Sequence, residues 1–190
     1  FPDWDAGPPP AADPYAGPSA DVEVLHDDHG FAHVYGATDS DAMFGAGYAV
    51  AMDRLFQLDL VRRQALGRRA EVFGSDYADD DELARLINFR GYGAGDAERL
   101  RTEHPDEYAD AVAWVAGINA RIDEIAAGTV PLPYGFGPGE LDYMPEHWIT
   151  ADAFAVGKML TFGLSDSLEN DILGSLLAQL DPTLVATMPV

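Results

Sequence analysis

Apolar positions alternate with polar ones at the start of the chain. Val22 and Val24, then Phe31 and the Val34-Tyr35 pair, flank Asp28-His29-Gly30. Alternation places successive side chains on opposite faces of an extended backbone, and Asp-His-Gly is a turn signal. Residues 21–36 are therefore expected to form two short strands in a hairpin. From Asp39 the period lengthens. Met43, Phe44, Ala51, Leu55, Leu58 and Val61 fall near helical spacing through 41–66, with Asp39, Ser40 or Asp41 available to cap the first free N–H groups. Gly45 and Gly47 weaken the start of that helix and point to close packing or a break, and Gly67 and Gly74 punctuate its end. Asp79, Asp80 and Asp81 precede Leu83, Leu86 and Ile87, a second capped helix. A third runs over 105–127, with Tyr108, Val112, Val115, Ile118, Ile122 and Ile125 on one broad face and Gly128 as its stop. Residues 129–147 form a long Pro/Gly loop, a length usually tied to function or an interface. Thr150 is expected to cap a fourth helix over 151–163, and a fifth spans 168–180, ended by Asp181-Pro182.

Residues 1–20 are dense in Pro, Gly and Ala and read as an extended arm rather than an element, leaving 21–190 as one domain. The expected fold class is α+β: a mostly helical chain with a small β element at its start. By itself it has too few strands for any common α/β sheet, which hints at a partner.

Charge narrows the partners. With 33 acidic side chains against 11 basic ones, the net charge is -22. Phosphate backbones and anionic lipid would be repelled, so neither nucleic acid nor a membrane surface is expected as a partner. Lys158 is the sole lysine. No cysteine is present, which excludes disulfides, thiolate metal sites and a Cys nucleophile. No apolar run reaches the roughly 18 residues that a spanning helix needs. Phe1 opens a Pro-rich stretch without the basic start of a secretion signal.

Several side chains could carry chemistry. His26, His29 and His33, with Asp27 and Asp28 between them, have a spacing that would suit a zinc-dependent hydrolase, since such a site wants three ligands and a water. They lie across a predicted turn where alternate residues point apart, which favours a structural role. Asp53, Arg54, Arg62, Arg63 and Glu71 could form a catalytic charge cluster. At helical spacing they are better read as ion pairs tying the helix to its surroundings. Ser165 and Ser167 have no His nearby in sequence to activate them. The run Asp79 to Glu82 reads as a cap and a solvated loop. A non-catalytic acidic binding module stays open as a third possibility beside a hydrolase of either kind.

Over roughly residues 22–175 the chain resembles the penicillin acylase family. The ordered set is Asp27, Gly30, His33, Tyr35, Gly45, Gly47, Tyr48, Asp53, Arg54, Leu55, Phe56, Gln57, Arg62, Arg63, Gly67, Ala70, Glu71 and Gly74, joined later by Pro145 and Trp148 ahead of a helix. So many matches in order far exceed a lone short motif. The resemblance implies the α subunit of an N-terminal-nucleophile hydrolase, completing a four-layer αββα fold with a β chain cut from the same precursor. That β chain would begin with the nucleophilic Ser, its own α-amine acting as base, so no catalytic residue is expected in this chain. The substrate class implied is a small-molecule amide joining an apolar acyl group to an amine nucleus, with β-lactams and N-acyl-homoserine lactones both open. A periplasmic or secreted setting follows from the same likeness. Segment 157–171 resembles the helix lining the family's acyl pocket, and Met159 matches the pocket methionine. The family's aromatic position falls on Gly163, while Phe162 stands one residue earlier, where an Arg is common. Met159, Phe162, Gly163 and Leu164 are the candidate substrate-binding residues. Glu169 matches a calcium-ligating glutamate, with Asp166 and Asp171 as possible helpers. Calcium needs about six to eight oxygen ligands, so the β chain would supply most of them.

Overall fold

The computed structural model describes residues 12–165 together with Ile172, Ser175, Leu176 and Gln179. Strands β1 (Glu23–His26) and β2 (Ala32–Tyr35) pair antiparallel, Glu23 opposite Tyr35 and His26 opposite Ala32. Their turn is organised by Asp27, whose Oδ1 accepts the N–H of His29 and of Phe31, each at 2.9 Å. Gly30 has φ +79°, a left-handed backbone that favours glycine. Helix α1 (Asp39–Leu66) follows. Its cap is Thr38, just ahead of the three expected candidates Asp39, Ser40 and Asp41: the Thr38 backbone is extended, and its Oγ1 accepts the Asp41 N–H at 3.1 Å. At Arg54 the backbone leaves the helical region (φ -141°, ψ 23°), which kinks α1. Gly67 closes the helix in the left-handed conformation (φ 63°), with the Arg68 N–H reaching back to the Arg63 carbonyl at 2.8 Å.

Short elements α2 (Ala70–Phe73) and a 3-10 turn (Ser75–Tyr77) lead into α3 (Ala78–Ile87). Helix α4 (Phe89–Glu103) was not legible from periodicity, because Gly91, Gly93 and Gly95 interrupt its first turns. Asn88 starts it. With φ 67° it ends α3, and its side-chain Oδ1 accepts the Gly91 N–H at 3.0 Å. Helices α5 (Pro105–Ala126) and α6 (Thr150–Gly163) lie where the apolar spacing predicts. Thr150 does not cap α6. Ile149 holds that position, and the Asp152 carboxylate accepts the Ile149 N–H at 3.3 Å. Of the helix expected over 168–180, Ile172, Ser175, Leu176 and Gln179 are described, and all four are helical.

Helices α1 and α5 form the centre. Gly47 and Gly117 let their backbones touch: a Cβ on Gly47 would strike the Trp114 carbonyl, and one on Gly117 the Phe44 carbonyl. The two glycines at the start of α1 therefore serve packing, since Gly45 sits beneath Val22 and Val34 of the hairpin and the break comes later, at Arg54. Ala51, Leu55, Val115, Ile118, Ile122 and Ile125 fill the core, and the 127–149 loop covers it with Phe136 and Trp148, both 1% exposed. Burying side chains of this size stabilises by about 1.5–3 kcal/mol each, enough to hold a segment with little regular structure. Asn119 fixes the Trp148 backbone from both sides, donating to its carbonyl (2.9 Å) and accepting its N–H (2.8 Å). Glu140 accepts the N–H groups of Gly135 (2.7 Å) and Gly137 (2.9 Å) and so shapes the loop tip. Among the described residues no helix is long and apolar enough to cross a membrane.

Residues 12–20 have no regular element, yet they are strapped down. Asp13 accepts hydroxyl hydrogens from Tyr108 (2.9 Å) and Thr150 (2.6 Å), Tyr15 stacks on Phe44 at 5.6 Å, and Ser19 donates twice to Asp41 at 2.7 Å. Burial, then the Asp13 carboxylate, push the Tyr108 phenol up to about 12. A folded-state value above the unfolded one near 10 means that its contribution is complete below about pH 10 and disappears as pH rises through about 12. The stability difference between the native protein and Tyr108→Phe should thus be flat to about pH 10 and shrink above it. A difference that stays constant through that window, in melting experiments run side by side, would contradict the linkage.

Candidate functional site

The candidate residues ride on the far half of α6, and a buried charge cluster on α1 holds the segment that leads into that helix. Asp59, Arg62 and Arg63 on α1 are 1%, 2% and 3% exposed. Asp59 accepts from Arg62 Nη2 at 2.6 Å, from Arg63 Nε at 2.8 Å and from the Tyr143 hydroxyl at 2.8 Å. Arg62 also donates to the carbonyls of Glu146 (3.1 Å) and His147 (2.9 Å), and its guanidinium lies over the Trp148 ring at 5.0 Å. Arg63 reaches Glu71 at 2.8 Å. Arg68 bridges Glu71 and Glu146, and its hydrogen bonds hold the Glu146 carboxyl below the usual range. The cluster locks the segment before α6 onto α1. Arg62, Arg63 and Glu71 are the ion pairs that helical spacing suggests. Asp59, their hub, was missed, although its i+3 and i+4 relation to two arginines was a readable signal. Asp53 instead meets His26 Nε2 at 2.9 Å, and Arg54 contributes no pair to this cluster.

Helix α6 then runs against α4. Gly93 allows the approach, since a Cβ there would sit 2.5 Å from the Ala155 nitrogen and 2.8 Å from the Ala151 carbonyl oxygen. Lys158 pairs with Asp96 at 2.6 Å. Burial raises the Asp152 carboxyl, 3.7 Å from Arg62 at the helix start. Met159, Phe162 and Gly163 stand at i, i+3 and i+4 and share one side of α6. Met159 is half-buried, and Phe162 is 39% exposed with its ring edge-on to Phe89 at 5.5 Å. Leu164 follows the last helical residue and is 87% exposed. Two residues beyond Phe162, it projects from a different side, so the structure groups three of the four candidates. Ser165 donates its hydroxyl to the Phe162 carbonyl at 2.9 Å. Glu169, Asp166 and Asp171 lie outside the described residues.

The three histidines do not converge. His26 bonds Asp53 across to α1, and His33 Nε2 meets Asp27 Oδ2 at 3.2 Å within the hairpin. His26 and His33 fall on opposite strands one register step apart, Leu25 facing His33, so their side chains leave opposite faces. Among the described residues no three His, Cys, Asp or Glu side chains come together as a metal site. This geometry does not favour the zinc-dependent hydrolase.

A family model described as penicillin amidase matches residues 21–189. The chain belongs to the penicillin amidase family. Within that family it is 38% identical over 144 residues to the penicillin acylase 2 proenzyme of a Pseudomonas species, an alignment covering 76% of this chain and 17% of that protein. It is 30% identical over 168 residues to a penicillin G acylase of Escherichia coli, covering 86% and 19%. An acyl-homoserine lactone acylase of Pseudomonas syringae is 28% identical over 170 residues, covering 87% and 19%. The chain thus spans about a fifth or less of the curated relatives it matches. A solved thermostable penicillin G acylase from Alcaligenes faecalis superposes with a TM-score of 0.69 at 25% identity, over 84% of this chain and 81% of that one. The helical architecture with its two-stranded hairpin is therefore this family's fold. The family residues noted on α1 are now placed: Gly47 at the α5 contact, Arg62 and Arg63 in the buried cluster, Gly67 at the helix end.

Proposed function

We propose that this chain is the α subunit of a two-chain amidohydrolase that cleaves amides between an apolar acyl group and an amine nucleus. One observation carries it: the chain matches 81% of a solved penicillin G acylase chain but only 17–20% of the curated relatives, one of them named a proenzyme. A subunit-sized piece of a longer precursor accounts for both figures. In this reading a second chain completes the αββα layers and brings an N-terminal serine. The serine hydroxyl attacks the amide carbonyl while its α-amine, which titrates near pH 8, takes the proton. That proton passes to the departing amine, and water then releases the acyl group. This chain supplies Met159, Phe162 and Gly163 as acyl-pocket wall, with Leu164 following them just past the end of α6. Such a wall is apolar, and Leu160, Phe162 and Leu164 are apolar side chains left exposed here.

Calcium is proposed to bind at Glu169, with Asp166 and Asp171 as helpers and the second chain supplying most of the roughly six to eight oxygens such an ion needs. β-Lactam amides and N-acyl-homoserine lactones are both proposed substrates, following the relatives' names, and a periplasmic or secreted setting is proposed with them. The test is expression of the whole gene product beside residues 1–190. Two polypeptides and amide hydrolysis are expected from the first, and none from the second. Hydrolysis by residues 1–190 alone, or an active product that stays one polypeptide, would defeat the proposal.

A further inference from the structure

Phe89 and Phe162 meet edge to face, and the two rings are held very differently. Phe89 is 6% exposed and is the first residue of α4. Its backbone follows Asn88, whose N–H bonds the Ala84 carbonyl at 3.0 Å and whose side chain caps Gly91. It is therefore fixed by α3, by the α4 cap and by burial together. Phe162 is on the last turn of α6, past the Gly93–Ala155 contact and the Asp96–Lys158 pair, with more than a third of its surface open. Of these two rings, the buried one is the fixed stop and the exposed one rests on it.

We infer that Phe89 is a positioning residue that sets where the Phe162 ring stands, and thereby which acyl groups the α6 wall admits. The inference rests on the proposed function, in which Phe162 faces the acyl group. Nothing requires Phe89 to touch substrate. Removing its ring would open a space behind Phe162 about the size of a benzene ring. Among the described residues no side-chain hydrogen bond or ion pair ties the last turn of α6 to another element, so Phe162 would fall back into that space and deepen the wall. A deeper apolar pocket favours longer acyl chains, and even one methylene is worth roughly 10-fold or more in discrimination.

The test uses the whole gene product and two chromogenic anilides, one butyryl and one decanoyl, assayed with Phe89→Ala, Phe89→Leu, Phe162→Ala and the Phe89→Ala/Phe162→Ala double variant. Phe89→Ala should raise the decanoyl-to-butyryl ratio of kcat/KM by on the order of 10-fold. Phe89→Leu should shift it less in the same direction, and it keeps the inference testable if the alanine variant does not fold. The double variant should go no further than Phe162→Ala, because both act through one ring. A purely structural role would lower both activities together and leave the ratio unchanged, which overturns the inference. If the ratio responds to Phe162→Ala but to neither Phe89 variant, the inference fails while the pocket reading stands. If it responds to no variant, the pocket reading fails too. Absence of amide hydrolysis by the unsubstituted protein would end both.

Discussion

Asp59→Ala should cost about 3–5 kcal/mol, the penalty typical of removing one partner from a buried ion pair. Two guanidiniums depend on this carboxylate, and both are nearly inaccessible to water. Arg62 would keep two backbone carbonyls and the Trp148 face, and Arg63 would keep Glu71, which sets the loss nearer the lower figure than a fully orphaned pair would. Tyr143, whose phenol is raised by burial and by its bond to Asp59, would also lose its acceptor. Against the roughly 5–15 kcal/mol that stabilises a typical domain, the loss is large. It should spread to α6, because the Glu146–Trp148 segment leads straight into that helix. Arg101→Ala, which removes an exposed pair with Glu98, should cost far less, since solvent screens such a pair. The comparison is made by chemical denaturation of the whole protein. A shift for Asp59→Ala no larger than that for Arg101→Ala would show that the cluster is not what holds the segment.

How much of this was readable in advance varied with the kind of force. The hairpin, α1, α5 and α6 were legible because each turns an apolar face inward, and burial writes a period into the sequence, whereas α3 was legible from its acidic first turn and leaves Leu83 and Leu86 exposed. Val112, Val115, Ile118, Ile122 and Ile125 are all buried as their spacing requires. Helix α4 was not legible, since its glycines serve a close approach and a cap rather than an apolar face. Gly93 is meaningful only when Ala155, sixty-odd residues later in sequence, lies against it. The caps at Thr38 and Ile149 moved by a residue for a similar reason. Asp41 is taken by Ser19 and Thr150 by Asp13, both partners in an arm with no periodicity to announce its docking. At the candidate site, Met159 and Phe162 could be singled out by likeness to a family. That Phe162 leans on Phe89 is a tertiary fact, and no spacing along α6 contains it.

The same substitution, glycine to alanine, should change sign between two helices, and this is the second large effect expected. In the middle of an exposed helix it gains about 1 kcal/mol by restricting the unfolded backbone. Gly95 on α4 has nothing within 4 Å of an added Cβ among the described residues, so Gly95→Ala should stabilise by about that amount. Gly47 has the Trp114 carbonyl where the methyl would go, and backbone cannot rotate aside as a side chain can. Helices α1 and α5 would have to separate, opening the contact lined by Ala51, Leu55, Val115 and Ile118. Overpacking typically costs about 1–3 kcal/mol, and a clash with backbone belongs at or above the top of that range. The propensity gain offsets only about 1 kcal/mol, so Gly47→Ala should lose about 2 kcal/mol or more, and Gly117→Ala, facing the Phe44 carbonyl, should behave alike. Melting temperatures of the three variants, measured in the whole protein, decide it. If Gly47→Ala and Gly117→Ala are as stable as Gly95→Ala, the helices are not in contact through their glycines, and the packing that sets the direction of α1 must be sought elsewhere.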